Sequence, residues 1–341
     1  MPRRTLAFAL LAAICVAGAT ATGAIAVLGA KHDRKAASKA VAAERPKANQ
    51  ILVSKQPFAV LRTVDQAHQS TYGRVAVAPL VDGKPGAPAL VGPACERVGF
   101  RAGKGLCLEV LGTQMGVDFL DARMQTVRQL TLPGIPSRAR VSPDGRWGGV
   151  TAFIVGHAYT TPGQFSTAAT ILDMQTGKVV GNLEKDFKVY DGGKLVDAVD
   201  RNYWGLTFAA DGDTFYATLE TSGKTWLIKG SIKARRAETI HANVECPALS
   251  PDGTRIGYKK AMSHDPTVWR FHVLDLATGK ETALSETRSV DDQIEWLDDS
   301  HLVYGDKANT WVVNADGTGS PQMWLRNTDS PTVQGGSGAS T

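Results

Sequence analysis

The sequence predicts an all-β fold: a β-propeller of six four-stranded blades, one of them incomplete or shared between the termini, preceded by an N-terminal transmembrane or signal helix. Two observations predict the propeller. The turn Ser-Pro-Asp-Gly occurs at residues 142–145 and again at 250–253, and apolar strand–turn–strand units recur about every 40–60 residues with no helical pattern between them. Proline, aspartate and glycine each favour a tight turn, and four antiparallel strands per repeat are typical of a propeller blade.

The N-terminal segment, residues 1–30, is predicted to be a signal anchor or a signal peptide. Residues 5–30 carry no charge and follow Arg3 and Arg4. As a helix this run would be about 39 Å long, enough to cross a hydrocarbon core of about 30 Å. The run is long for a signal peptide, yet small residues at cleavage spacing occur within it, so both readings stay open. Either one places the folded part outside the cytoplasm, anchored in the membrane or secreted.

Charge separates this leader from the rest of the chain. The formal net charge is +5, but residues 1–50 carry a net +6 and residues 51–341 a net −1. A nucleic-acid partner is therefore not expected, because it would require a basic face on the folded part. Residues 31–50, rich in Ala and Lys, are predicted to be a flexible tether, and the Gly- and Ser-rich residues 327–341 a disordered tail.

The propeller is predicted at residues 51–326. Each full unit is a strand–turn–strand–loop–strand–turn–strand segment, and five such units are found, at about residues 94–132, 136–185, 200–240, 243–286 and 290–326. Residues 51–92 contain further strands that would form a sixth blade, either complete or completed by the C-terminal strands to close the ring.

The repeats resemble a known family. The "SPDG" turn followed by "ILDMQTGK" (171–178) or "VLDLATGK" (273–280) is similar to the repeat of TolB-like, PD40-type (WD40-like) propellers, and the similarity covers about residues 94–326. This resemblance implies a non-enzymatic scaffold that binds an envelope protein or a small ligand. The sequence departs from the family's pattern, since we expect no α/β domain ahead of the propeller.

Strong motifs of catalysis and metal binding are absent from the sequence. It has no Gly-x-Ser-x-Gly elbow, no His-Glu-x-x-His and no Cys-x-x-Cys, and the acidic stretches 211–214 and 291–299 lack calcium-loop spacing. We therefore predict no cofactor, no metal and no catalytic residues. The alternative is a propeller enzyme, a hydrolase or lyase acting on carbohydrate or peptide, that uses polar residues at the channel mouth.

Candidate binding residues lie where the first strand of a blade begins, because those positions often face the central channel. They are Arg138, Tyr203, Trp204, Glu245, Asp291 and Asp292. Packing between blades would explain Tyr203 and Trp204, and if they are exposed they would suit a binding hot spot. Hydrogen bonding within the loop is the corresponding alternative for Asp291 and Asp292.

The cysteines complete the predictions. Cys95 and Cys107 flank the turn around Ala102 at nearly equal distances, so a hairpin would bring them together on one face. Outside the cytoplasm such a pair oxidises, and we predict a disulfide. Cys246 is then left single and is expected to be buried between blades. The protein is predicted to be a monomer.

Overall fold

The structure is a computed structural model that describes residues 35–154, 166–264 and 267–335. Within these residues the chain forms six mostly antiparallel sheets, and the first strands of neighbouring sheets contact one another in a closed ring. This confirms the predicted all-β, six-bladed propeller.

The helices and strands are named in chain order. The described part of helix α1 spans residues 35–53, α2 is Leu183–Asp186, and a single 3-10 turn lies at Gln69–Thr71. The strands are β1 (Phe58–Thr63), β2 (Arg74–Val81), β3 (Lys84–Pro85), β4 (Ala89–Ala94), β5 (Arg97–Arg101), β6 (Lys104–Leu111), β7 (Gln114–Leu120), β8 (Thr126–Pro133), β9 (Ile135–Val141), β10 (Trp147–Ile154), β11 (Ser166–Asp173), β12 (Val179–Asn182), β13 (Lys188–Asp191), β14 (Lys194–Leu195), β15 (Asn202–Phe208), β16 (Thr214–Thr221), β17 (Lys224–Ser231), β18 (Arg236–Ala242), β19 (Glu245–Leu249), β20 (Arg255–His264), β21 (Thr267–Asp275), β22 (Glu281–Ala283), β23 (Ile294–Trp296), β24 (His301–Asp306), β25 (Asn309–Asn314), β26 (Gln322–Arg326) and β27 (Thr328–Gln334).

Five blades are built from consecutive strands. Blade 2 is β5–β8, blade 3 is β9–β12, blade 4 is β15–β18, blade 5 is β19–β22 and blade 6 is β23–β26. These blades correspond to the five repeat units predicted between residues 94 and 326. In blade 4 the short strand β13 adds to the outer strand β18 in parallel. Blade 1 differs, because it combines the two ends of the described chain.

Blade 1 closes the ring with a strand from the C-terminal side. Its order is β27-β1-β2 with β4 paired to β2, and β1 runs antiparallel to β27 with Phe58 opposite Gln334. The prediction of a disordered tail at residues 327–341 is therefore wrong for β27. Val333 is only 1% exposed and Arg62 donates to both carboxylate oxygens of Asp329, so apolar burial and an ion pair order this segment. Residues 336–341 lie outside the described part of the chain.

The segment predicted as a flexible tether is also different. Residues 35–53 of α1 are helical, consistent with the high helix propensity of alanine. Ala48 and Ile51 are buried in the core of blade 1, and Glu44 accepts a hydrogen bond from the backbone N–H of Leu90 at 2.7 Å. Arg45 donates to the carbonyl of Val91. The helix thus covers the outer edge strand β4, which would otherwise leave backbone groups unpaired.

The predicted signal or anchor segment, residues 1–30, lies outside the described residues, as do residues 31–34 of the tether. Among the residues that are described, no helix is both long enough and apolar enough to cross a membrane.

The two Ser-Pro-Asp-Gly turns have the same local structure. In each, the serine N–H donates to the carbonyl five residues on, at 2.8 Å for Ser142 and for Ser250. The aspartate accepts bonds inside its own turn: Asp144 from Ser142 Oγ at 2.5 Å, and Asp252 from Ser250 Oγ at 2.5 Å. Gly145 has φ +67°, a region that favours glycine. The repeated tetrapeptide is therefore the hairpin between the first two strands of blades 3 and 5.

The predicted disulfide between Cys95 and Cys107 is present, with the two Cα atoms 5.3 Å apart. Its position differs from the expected cross-strand pair, because Cys107 lies opposite Val98 in the β5–β6 hairpin. Cys95 precedes β5 and ends the connection from blade 1. The bond therefore ties that connection to blade 2, within the apolar core that α1 also joins.

Candidate binding site at the channel mouth

The central channel opens at one end into a cavity of about 840 Å³, walled by side chains from blades 2 to 6. We call this end, where β5, β9, β15 and β19 begin, the mouth. The opposite end carries the Ser-Pro-Asp-Gly turns and is called the turn face. A smaller cavity of about 410 Å³ lies beside the turns of blades 5 and 6 on the turn face.

Below the mouth, side chains from opposite blades meet across the channel. Arg140 of β9 forms an ion pair with Glu295 of β23, and both residues are over nine-tenths buried. Arg140 Nη2 also donates to the carbonyl of Ile294 at 3.1 Å, and Gln293 Nε2 donates to the carbonyl of Ala139 at 3.4 Å. These contacts join blades 3 and 6 directly, so the cavity has a polar floor.

Lys259 is the most deeply buried cation of the cavity wall. Its side chain is 2% exposed, its Nζ pairs with the carboxylate of Asp291, and it lies 4.5 Å from the centre of the Trp269 ring. Burial alone would lower the pKa of Lys259, but the nearby Cys246 sulfur and the carboxylates of Asp291 and Glu245 raise it overall. The ammonium group therefore stays charged inside the channel.

Arg138 is the second cation, and its hydrogen bonding is incomplete. Its side chain is 11% exposed, with Nη1 donating to the carbonyl of Ser137 at 2.9 Å and Nη2 lying 3.6 Å from Asp291 Oδ1. Its buried Nε has no hydrogen-bond partner within the described ranges. Burial alone would lower the pKa of Arg138, but the neighbouring Cys246, Asp292 and Asp291 raise it overall.

Blade 4 contributes the acidic wall. Asn202 Nδ2 donates to Glu220 Oε2 at 3.0 Å, and Asp200 accepts a bond from Thr221 Oγ1 at 2.7 Å. Burial, followed by the charges of Asp200 and Glu245, raises the pKa of Glu220, and the bond from Asn202 offsets part of this rise. The cavity wall therefore carries carboxylates on blade 4, between the cations of blades 3 and 5.

A third carboxylate, Glu184 of α2, supports the blade 4 wall from behind. Glu184 Oε1 accepts a bond from Thr167 Oγ1 at 3.1 Å, and both its oxygens accept the N–H of Ala169 at 3.0 Å. The N–H of Thr167 in turn donates to Asn202 Oδ1 at 3.1 Å. Burial raises the pKa of Glu184 to about 7 despite the hydrogen bonds it accepts.

Four of the six predicted binding residues line the cavity: Arg138, Trp204, Glu245 and Asp291. They come from four different blades. Glu245 Oε1 accepts a hydrogen bond from the Nε1 of Trp269 at 2.9 Å, which links an acid and an aromatic side chain in the wall. Their role in binding remains a prediction.

Tyr203 and Asp292 are placed differently. Tyr203 is 1% exposed and packs in the apolar core of blade 4, because neighbouring residues of strand β15 point to opposite faces and Trp204 takes the cavity side. Asp292 is 9% exposed and lies 3.5 Å from Arg97 Nη1, so its carboxylate supports the wall from behind.

The wall residues that sequence reasoning missed include Arg97, Lys259 and Trp269. Arg97 begins the first strand of blade 2, an entrance that the sequence reasoning did not consider, and Lys259 lies on the second strand of blade 5. Counting back from the Ser-Pro-Asp-Gly turn would place Lys260 opposite Glu245, but a register shift between Glu245 and Ala248 brings Lys259 opposite Glu245 instead. Trp269, on β21, becomes a neighbour only when the third strand is added.

The arrangement is suited to recognition by charge and by aromatic contact. No group of three or more His, Cys, Asp or Glu residues in the described part of the chain is placed to hold a metal ion. Cys246 is buried, is not in a disulfide, and lies in the wall. Trp204 and Trp269 supply flat apolar surface in the same wall. Such a surface can hold a ligand with both polar and apolar parts.

No protein-family model matches the sequence, and no curated protein sequence is similar to it. Solved structures do match the fold. TolB from Acinetobacter baumannii is 16% identical with a TM-score of 0.52, covering 82% of this chain and 66% of that one. A chain of a nidogen/laminin complex is 11% identical with a TM-score of 0.55, covering 81% of this chain and 98% of that one.

A puromycin-hydrolyzing peptidase from Mycobacterium tuberculosis matches with a TM-score of 0.45 at 13% identity, covering 75% of this chain and 42% of that one.

The match to TolB confirms the resemblance to TolB-like propellers at the level of the fold. This chain spans less than two thirds of the length of the TolB chain that it matches.

Proposed function

We propose that this protein is a non-enzymatic, extracytoplasmic scaffold that binds a partner in the cavity at the mouth of its propeller. The observation that supports this function is the convergence of charged and aromatic side chains from five blades on one cavity. Ion pairs and hydrogen bonds within the wall hold these side chains, which gives a preformed surface with little conformational entropy to lose on binding.

The extracytoplasmic location is supported by the Cys95–Cys107 disulfide, since disulfides persist mainly outside the reducing cytosol. Residues 1–30 would deliver the propeller there, either as an anchor or as a cleaved signal. Fractionation of cells that express the full-length protein tests this part of the proposal. We expect the protein in the membrane or the medium, and a predominantly soluble cytoplasmic pool would contradict it.

The partner is proposed to be an envelope protein or a small ligand bound by one propeller, with no nucleic acid involved. TolB has the same fold, and the nidogen/laminin match shows that fold within a complex of proteins. The aromatic wall is expected to supply much of the affinity, because buried Trp residues are common hot spots of interfaces.

Trp204→Ala tests this function. The variant removes one aromatic wall of the cavity and should greatly reduce the proteins recovered with the full-length chain from solubilised envelope. The matched control is Trp226→Ala, which truncates a partly buried Trp of the same blade that does not line the cavity. Equal recovery with Trp204→Ala and Trp226→Ala would contradict binding at the mouth.

A hydrolase and lyase screen on carbohydrate and peptide substrates is the complementary experiment. We expect no turnover above background. Turnover that disappears in Glu245→Gln, but persists in Trp226→Ala, would favour an enzyme over a scaffold.

A further inference from the structure

Asp291 and its two cationic partners are exposed to very different extents. The Asp291 side chain is 60% exposed, whereas those of Lys259 and Arg138 are 2% and 11% exposed. An exposed carboxylate therefore sits over two buried cations at the mouth. Usually a salt bridge that reaches solvent exposes its long basic side chain, which extends toward water more readily than a short acid.

Charge balance explains why an anion is needed at this point. Buried cations without a nearby anion are strongly destabilising. The other two acids nearest to the cations have further partners, since Glu245 accepts a hydrogen bond from Trp269 and Asp292 pairs with Arg97. Asp291 is thus the acid that contacts both Lys259 and Arg138.

The carboxylate of Asp291 lies at different distances from the two cations. It forms a close pair with Lys259, but Arg138 Nη2 is 3.6 Å away and Arg138 Nε has no hydrogen-bond partner among the described residues. A guanidinium group binds a carboxylate best through two parallel N–H···O bonds, and this geometry is not used here. Lys259 and Arg138 could therefore form more hydrogen bonds to an anion than they form to Asp291.

The surroundings leave room for such an anion. The cavity of about 840 Å³ opens directly onto this pair of cations, and Trp204 and Trp269 line it beside them. Asp291 belongs to the irregular segment ahead of β23, so that moving its side chain breaks no strand pairing of blade 6. Partial burial would raise the pKa of Asp291, but Lys259, Arg138 and Arg97 lower it overall, which keeps it anionic.

We propose that Lys259 and Arg138 form a carboxylate-binding site, and that Asp291 occupies this site until the carboxylate of a ligand replaces it. The remainder of the ligand would lie against Trp204 and Trp269, so we infer a ligand that joins a carboxylate to an apolar or ring-shaped part. This inference rests on the proposed function, because it names the chemistry that the mouth recognises.

Chemical rescue tests the inference. Asp291→Ala removes the internal carboxylate, opens space beside the cations and should lower the thermal unfolding temperature. Acetate and benzoate should then bind the variant at least about tenfold more tightly than the wild type by calorimetry, and raise its unfolding temperature by at least about 2 °C at saturation. Benzoate should bind more tightly than acetate, because its ring reaches the aromatic wall.

Three controls define the outcome. Asp252→Ala removes a turn-face carboxylate that pairs with Arg255 at 3.3 Å, and acetate should not restore its stability. Asp291→Ala/Lys259→Met, which lacks both the acid and its closest cation, should lose acetate binding while remaining folded by circular dichroism. Sodium chloride at equal ionic strength separates specific binding from screening, and inorganic phosphate tests whether the site selects carboxylates.

The inference is overturned if Asp291→Ala binds neither acetate nor benzoate, or if chloride or phosphate stabilises it as well as they do. These results would leave the proposed function intact, provided that the wild type still captures a partner and Trp204→Ala does not. Conversely, acetate rescue together with unchanged capture by Trp204→Ala would support the carboxylate site and contradict capture of the partner at the mouth.

Discussion

The turn face and the mouth use carboxylates in different ways. On the turn face, Asp144 and Asp252 accept hydrogen bonds from groups within two residues of themselves. At and below the mouth, Asp291 and Glu295 pair with cations 32 and 155 residues away in sequence. The first kind of contact forms as soon as a hairpin forms. The second exists only when distant blades have been brought around the channel.

One acid from each setting, Asp252 and Glu184, has its pKa shifted in the opposite direction to the other. Partial burial would raise the pKa of Asp252, but hydrogen bonds from Ser250 and Thr254 lower it to about 2. Near the mouth, burial outweighs hydrogen bonding and raises the pKa of Glu184 to about 7. The turns therefore stabilise charge locally, whereas the mouth holds charged and neutral acids whose state depends on the assembled ring. Four substitutions test this contrast.

The largest effect is expected from Glu295→Ala. It leaves Arg140 buried without its counter-ion, and removing one partner of a buried pair should destabilise the fold by about 3–5 kcal/mol. Urea unfolding measures the loss. Arg140→Met/Glu295→Met should recover most of it, because both charges are then absent. A loss below about 1 kcal/mol for Glu295→Ala would show that the cross-channel pair contributes no more than a surface pair.

The disulfide joins residues only 12 apart in sequence, near the start of β5, and so differs from the ion pairs that cross the channel. Cys95→Ser/Cys107→Ser should lower the free energy of unfolding by about 2–3 kcal/mol, with the propeller retained, because the loop that the bond closes is short. Reduction of this disulfide in the wild type should lower the free energy of unfolding by a similar amount. Free thiols at both positions in unreduced, secreted wild type, detected by mass spectrometry, would contradict the pairing.

Glu184→Gln should change how stability depends on pH. The folded pKa of Glu184, about 7, lies above the usual 4.5, so between these values the unfolded chain loses a proton that the folded chain keeps. The free energy of unfolding of the wild type should therefore fall by roughly 1–3 kcal/mol as pH rises from 4.5 to 7. Glu184→Gln should not show this decrease, because glutamine does not titrate. Unfolding in urea at pH 5 and pH 8 measures this, and parallel profiles of variant and wild type would count against it.

The smallest effect is expected at the turn. Asp252→Asn weakens hydrogen bonds inside an exposed hairpin and should lower stability by about 1 kcal/mol at neutral pH. The folded pKa of Asp252 is lowered, so its contribution is fully present above about pH 4 and is lost as pH falls toward 2. Thermal unfolding from pH 2 to pH 7 should show variant and wild type converging in acid. If the unfolding temperatures of variant and wild type differed by the same amount from pH 2 to pH 7, ionisation of Asp252 would not be the source of the effect.

The same contrast explains how much of the molecule could be predicted from its sequence. The repeats and the Ser-Pro-Asp-Gly hairpins depend on neighbouring residues, so the six-bladed fold was accessible. The cation site was not, because Lys259 and Asp291 are brought together only by two adjacent blades. The sequence left packing and binding open for both Tyr203 and Trp204, because which of two neighbouring strand residues meets the core depends on how the blade packs. Composition suggested a tether and a tail where Ala48 and Val333 are in fact buried.

Closure of blade 1 by β27 has a consequence for synthesis of the chain on the ribosome. The pair between Arg62 and Asp329 joins residues 267 positions apart, and such a contact cannot form until β27 has been made. Blades 2 to 6 can assemble as they emerge, but β1 lacks its neighbour β27 during this time. Val60 and Leu61, which are buried in the complete fold, then stay exposed. Among the described strands, β27 is translated last and completes the ring, so a transcript that stops before codon 328 would yield an open arc with an unpaired strand edge, prone to aggregation.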